Sequence, residues 1–208
     1  MTSRPSARKP IDRAQDFVFL NVPYDSSFAL IFLAYVCGIC AFGLFPRATL
    51  ELQGGSRRLD RIVSLIESCG YSIHDMSGVE LDQTPPPTPR FNMPFELGHS
   101  ALHASRSPSA HTWFLFEAVP WRIQKSLSNL NGTDPYIHDG TVDRVFRELA
   151  KAFVRSDRQP SVQQKRFLYD KLALSLPRIL TDAAASAPFN ARGFQDIVPS
   201  TAALAQKL

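Results

Sequence analysis

The chain has little of what would set it apart from ordinary globular proteins. Three cysteines in 208 residues, Cys37, Cys40 and Cys69, cannot form the disulfide framework of a small secreted protein. The N-terminus has no apolar segment of the kind a secretory signal needs, so a reducing cytoplasm is the expected compartment. Charge of one sign is scarce as well. The formal net charge is +4, and Arg4, Arg8, Lys9 and Arg13 against Asp12 already supply +3 of it. The remainder is nearly neutral, which argues against a nucleic-acid-binding domain, since that needs a basic face. The basic stretch 1–14 reads as a disordered tail. Ten glycines and sixteen prolines are too few and too scattered for a fibrous chain.

What the chain does have is apolar material. Hydrophobic residues make up 44% of it, including fifteen phenylalanines, enough to bury a sizeable core. The run 28–45 contains no charged side chain. Gly43 and Pro46 cut the helical part of that run to about fifteen residues, ~22 Å at 1.5 Å per residue, which is short for a bilayer. No membrane span is therefore expected. A helix over 25–42 with no polar face still needs a cover, either a partner subunit or the C-terminal helices. The expectation taken from it is a homo-oligomer formed through this helix.

The order of elements implies an α/β fold. Short apolar runs at 16–21, 44–52, 71–74, 111–117 and 136–138 read as about five strands. Helical patterns at 57–69, 93–105 and 141–154 fall between or after them, with Ser56 as a candidate N-cap. Such alternation predicts a mostly parallel sheet covered on both faces. An added helix is expected over 161–178, and the Ala-rich end 183–208 reads as marginal. The organisation is thus a tail over 1–14, an α/β domain over 15–156 and a helical extension over 157–208.

Several residue groups invite chemistry. Cys37-Gly-Ile-Cys40 has the redox spacing but lies late in an apolar helix, away from a thiolate-stabilising helix N-terminus, so both read as core thiols. Glu96, His99 and His103 share a helix face, yet no further ligand cluster accompanies them, and no metal site is expected. Gly54-Gly55-Ser56-Arg57-Arg58 opens a helix. Its free amides and guanidinium groups suit a phosphate, and a solvated basic helix start explains it equally well. Asn21 and Asp75 close predicted strands, and Asn92 and Glu96 open a helix near the same edge. In open α/β sheets that edge gathers ligands, so these residues are candidates to face one pocket. Tyr24 or Phe91 is a candidate to stack on a base, and a core position explains either equally well.

Taken together, FVFLNVPYD, FPRATLE, GGSRRLDRIVSLIESCGYSIHDMSGVELD and PRFNMPFELGHSAL resemble TIR-like and nucleoside 2-deoxyribosyltransferase-like domains of bacteria, over about residues 16–140. Phe95–Leu102 is similar to the ELG-containing helix of the deoxyribosyltransferases, in which the glutamate matching Glu96 is the nucleophile. The same stretch, with Ala101-Leu102, the strand 112–116 and Val119-Pro120-Trp121, looks like TIR-domain NAD hydrolases. There the loop matching Leu52–Ser56 lies near the nucleotide. The resemblance implies a flavodoxin-like three-layer fold and cleavage of an N-glycosidic bond, with Glu96 catalytic and Asp75 orienting sugar hydroxyls. It implies NAD or a related nucleotide as substrate and no resident cofactor, in a setting such as defence against phage. A TIR-like module that senses a nucleotide or assembles without turnover is the other function it implies. Residues 141–208 fall outside the resemblance.

Overall fold

The computed structural model describes residues 13–52, 54, 57–81 and 85–208. Phe17–Asn21 forms β1, a run of strand formers stopped by Pro23. Asp25 then starts the next element: its Oδ1 accepts from the Phe28 backbone N–H at 3.1 Å, capping a short turn that leads into α1, Ala29–Ala41. Gly43 ends the helix region with φ +76°, a conformation glycine adopts without steric cost. Strand β2 is only Phe45–Arg47, shorter than the run 44–52 suggests. The Glu51 carboxylate accepts from the Ala48 N–H at 2.8 Å and from the Arg47 guanidinium at 2.7 Å, which winds Thr49–Glu51 into a turn and closes the strand.

The remaining elements alternate as expected. They are α2, Arg58–Glu67; β3, Tyr71–Asp75; α3, Asn92–Arg106; β4, Thr112–Glu117; β5, Tyr136–Ile137; and α4, Val142–Ala152. All strand pairs are parallel, in the order β2-β1-β3-β4-β5. The described residues thus form an α/β fold with a five-strand parallel sheet and six α-helices, consistent with a flavodoxin-like three-layer domain.

Helices α2 and α3 cover one face of the sheet, with Leu65, Ile66, Met93 and Leu97 buried between. Helix α1 lies on the other face beside α4, where Gly38 lets the two approach closely: a Cβ there would collide with Leu149. Every residue of α1 from Ile31 to Ala41 is buried.

The cover of α1 comes from the chain itself. Helices α5, Val162–Asp182, and α6, Ala191–Ala205, pack on it together with α4. This corrects the expectation of an oligomer through 25–42, because that face is already occupied within one chain. No described helix is long and apolar enough to cross a membrane. It also corrects the marginal reading of 183–208. The Asn190 side chain caps α6 by accepting from Arg192 N–H at 3.1 Å, and Phe194, Ile197, Thr201 and Ala205 form a buried stripe at helical spacing. The tail expected over 1–14 falls largely outside the described residues.

Candidate functional site

The strand order reverses direction of growth between β1 and β3, and the carboxyl edge at that reversal is where this architecture places ligands. A continuous line of buried hydrogen bonds crosses the sheet beneath it. His111 Nδ1 donates to the Cys69 carbonyl at 2.7 Å, which leaves His111 Nε2 to accept from Ser72 Oγ at 3.0 Å. The Ser72 hydroxyl then accepts from His74 Nε2 at 3.0 Å, and His74 Nδ1 accepts from Asn21 Nδ2 at 3.0 Å. The second amide proton of Asn21 goes to the Met93 carbonyl at 2.9 Å. One fixed carbonyl therefore sets the tautomer of two histidines and the orientation of Asn21. Burial, reinforced by His111, pushes His74 down to about 3, so its ring stays neutral as this line requires.

Asn21 was a candidate ligand contact. It is instead buried and ties the end of β1 to the first turn of α3, one turn before Glu96. Its role is to position that helix. Asn21→Ala is expected to lower stability by about 1–3 kcal/mol, because His74 Nδ1 loses its donor in a dry setting. A urea midpoint measured against the unmodified protein checks this.

Glu96 stands in the next turn of α3 and is only 5% exposed. Burial pushes its carboxyl up to about 7, while the Arg58 guanidinium pulls the other way. Among the described residues, none hydrogen-bonds to this carboxyl. Arg58 at the start of α2 and Tyr24 from the β1–α1 loop lie within its electrostatic reach, and the Tyr24 phenol also feels Thr49 and Glu51 from the turn after β2. Burial raises that phenol well above its usual range, with the Glu96 and Glu51 charges adding to it. Tyr24 donates to the Leu20 carbonyl at 3.0 Å and its ring meets Phe32 edge-on at 6.1 Å, so it forms a wall of the site rather than a free stacking platform.

The two arginines diverge. Arg57, with φ 58°, is 83% exposed in its side chain and bonded to Asp60 at 2.8 Å, facing solvent. Arg58 donates to the Leu52 carbonyl at 3.1 Å and lies within electrostatic reach of Glu96. Gly54 is exposed with open space around its Cα, and Asn92 is exposed at the start of α3. Gly55 and Ser56 lie outside the described residues.

Asp75 does not join this group. Its carboxylate is fully buried and spent on three donors: Tyr35 O–H at 2.7 Å, His138 Nε2 at 2.9 Å and Ser77 N–H at 2.9 Å. Gly140 N–H donates to His138 Nδ1 at 3.1 Å, which keeps the His138 proton on the nitrogen facing Asp75. With both oxygens engaged inside the fold, Asp75 has nothing to offer a sugar hydroxyl. Next to it, Glu117 is fully buried; one oxygen accepts from Ile123 N–H at 2.9 Å and the other has no partner among the described residues. Burial raises the Glu117 carboxyl.

Further residues that follow the carboxyl ends of strands were not singled out from the sequence as site residues. Trp121 follows β4 with φ 62° and is 65% exposed, a left-handed backbone that a bulky residue adopts only at a cost. Thr49 and Glu51 lie in the turn after β2, within a run whose composition reads as strand, and His138 follows β5 at the edge where carboxyl ends of strands gather function. The remaining candidates are accounted for elsewhere. His99 Nε2 lies 3.4 Å from Glu67, and the His103 ring packs on His111 at 5.1 Å. No group of three or more His, Cys, Asp or Glu among the described residues is arranged to hold a metal ion. Cys37 and Cys40 are buried free thiols, and burial pushes Cys40 up to about 12, far from a redox-active thiolate.

Comparison of the chain with protein-family models, with curated proteins and with solved structures finds no match.

Proposed function

We propose that this protein breaks the N-glycosidic bond of NAD or a related nucleotide, with Glu96 as the group facing the positive charge that develops on the sugar. The observation that carries the reading is a buried carboxyl to which no described residue donates a hydrogen bond, at the ligand edge of a parallel sheet, raised to about 7. A structural carboxylate at that depth is normally hydrogen-bonded, as Asp75 is. The likeness of FELGHSAL to helices that bear a catalytic glutamate supports the same reading.

In the hydrolysis, the bond from the anomeric carbon to the base nitrogen breaks with its electron pair leaving on the base. Water supplies the new C–O bond and releases one proton. Ionised Glu96 stabilises the oxocarbenium-like state or attacks it first. Nicotinamide departs from a cationic ring and needs no proton, so its release should rise with pH through about 7 and then level. A neutral base needs a proton donor, and its release should fall over the same range. Chromatography of free base, after incubation with NAD and with deoxynucleosides from pH 5.5 to 8.5 (roughly the span in which Glu96 titrates), tests the reading and separates the two substrate classes. Absence of release from every nucleotide tried would overturn it, and binding without release would mark a sensing module.

Arg58 is the group that would meet the phosphates. Arg58→Ala is expected to weaken nucleotide binding about tenfold, the scale of one charge-assisted pair. Arg57→Ala, whose partner is Asp60, should leave affinity within about twofold. Titration calorimetry of both variants reads the difference.

A further inference from the structure

We infer that the outer face of α3 is a self-association surface, on which a second copy of this chain packs its own α3 antiparallel about a two-fold axis beside Gly98. This inference is independent of the proposed chemistry.

Three observations carry it. The first is an exposed apolar stripe at helical spacing: Phe91 is 70% exposed, Phe95 56% and Leu102 48%. The two rings alone show roughly 250 Å² to solvent, taking about 200 Å² per buried aromatic. Two copies would cover about twice that, and Leu102 and the helix flanks extend it toward the ~1,200 Å² at which specific interfaces begin. The second is Gly98, which lies on this stripe in the middle of α3. Glycine destabilises a helix interior relative to alanine, and none of the described residues requires it there, since a Cβ would meet none of their atoms within 4 Å. Absence of a side chain at that point serves close approach from outside. The third is the symmetry of the pattern. An axis between Gly98 and His99 sets Phe95 of each copy against the other's Leu102, and Phe91 against the other's Arg106. Arg106 is exposed and forms no ion pair among the described residues. The stripe is thus its own complement: aromatic on aliphatic, and guanidinium on an aromatic face.

Sedimentation velocity on the full chain, from about 1 to 100 μM, tests this over the range in which an interface of the smallest specific class dissociates. The unmodified protein should pass from the mass of one chain to that of two. Gly98→Leu, which fills the gap at the axis, and Phe95→Glu, which charges the stripe, should each weaken the dimer at least about tenfold. Neither change touches the core, and Gly98→Leu should melt no lower than the unmodified protein. A single-chain mass throughout the range overturns the inference. So does a dimer that both variants leave unchanged, which would place the contact on another surface. If Phe95→Glu fails to fold, Gly98→Leu alone decides.

Discussion

Glu96→Gln is expected to melt higher than the unmodified protein at pH 8 and to lose base release at the same time. The two effects have one cause. Folding moves the Glu96 carboxyl from its ordinary 4.5 to about 7, chiefly by burial. Between those values the folded state holds a proton that the unfolded state has released, so this group's contribution to stability falls as pH rises from 4.5 to about 7. Above about 7 the deficit is constant, at most about 3 kcal/mol. Gln carries no charge and escapes it. For a chain of this length each kcal/mol moves the melting temperature by about 2–4 °C. The gain at pH 8 is thus at most about 6–12 °C, and at pH 4.5 the two proteins should melt together. Loss of the carboxylate should cost about 100- to 1,000-fold in turnover, as removal of a main electrostatic stabiliser does. Melting curves at both pH values and base release, on one preparation, read both effects. A melting temperature at pH 8 that does not rise would mean the carboxylate is held by favourable partners, as a structural residue is. Full turnover in the folded variant would remove Glu96 from the chemistry.

The same residue shows what could be read in advance. Glu96 was visible because its neighbours in sequence carry a pattern and because a helix opening beside a strand edge is a local event. The burial of Asp75 was not visible, since it depends on Tyr35 from α1, 40 residues away, and on His138 beyond β5. Asp75 closes a strand and Glu96 lies near the start of a helix at the same edge, so in the sequence the two carboxylates look equally placed. Only the packed fold decides which faces ligand. Arg57 and Arg58 separate for a simpler reason: consecutive side chains at a helix start point about 100° apart, so one reaches the site and its neighbour reaches solvent. The alternation of strands and helices was legible nearly to the residue from β1 to α4, because each element has its own periodicity and its own stop. Strand β2 was overextended, because the pattern around Ala48–Leu50 did not reveal that Glu51 folds back to cap the turn. Helix α6 was undervalued for its alanines and Pro199, although its stripe of Phe194, Ile197, Thr201 and Ala205 has the 3.6-residue period throughout.

That stripe is the reason α1 can be apolar on every side, and it sets the largest stability effect expected in this protein. Ile197 is fully buried against the α1 layer. Ile197→Arg would place a charge there without a partner, at a cost well above 4 kcal/mol, and α6 would leave its seat instead. What it uncovers is a helix whose exposed face has no charged residue, so the chain should collect in the insoluble fraction or bind a hydrophobic dye strongly. Phe194→Ala gives a graded version. It removes a fully packed ring that meets Phe32 of α1 at 6.0 Å, and should cost about 3–5 kcal/mol, roughly 10 °C or more in melting temperature. A denaturant midpoint that falls with Phe194→Ala, together with dye binding by Ile197→Arg, would establish α6 as an integral layer of the fold. Cooperative melting at the unmodified temperature in both variants would show that α1 is covered by something else. The interface between chains would then have to be sought on α1 rather than on the far side of the sheet at α3. The two surfaces are opposite faces of one sheet, so a variant on one should leave the other intact. Ile197→Arg should fail as a monomer fails, while Gly98→Leu remains folded and only separates the copies.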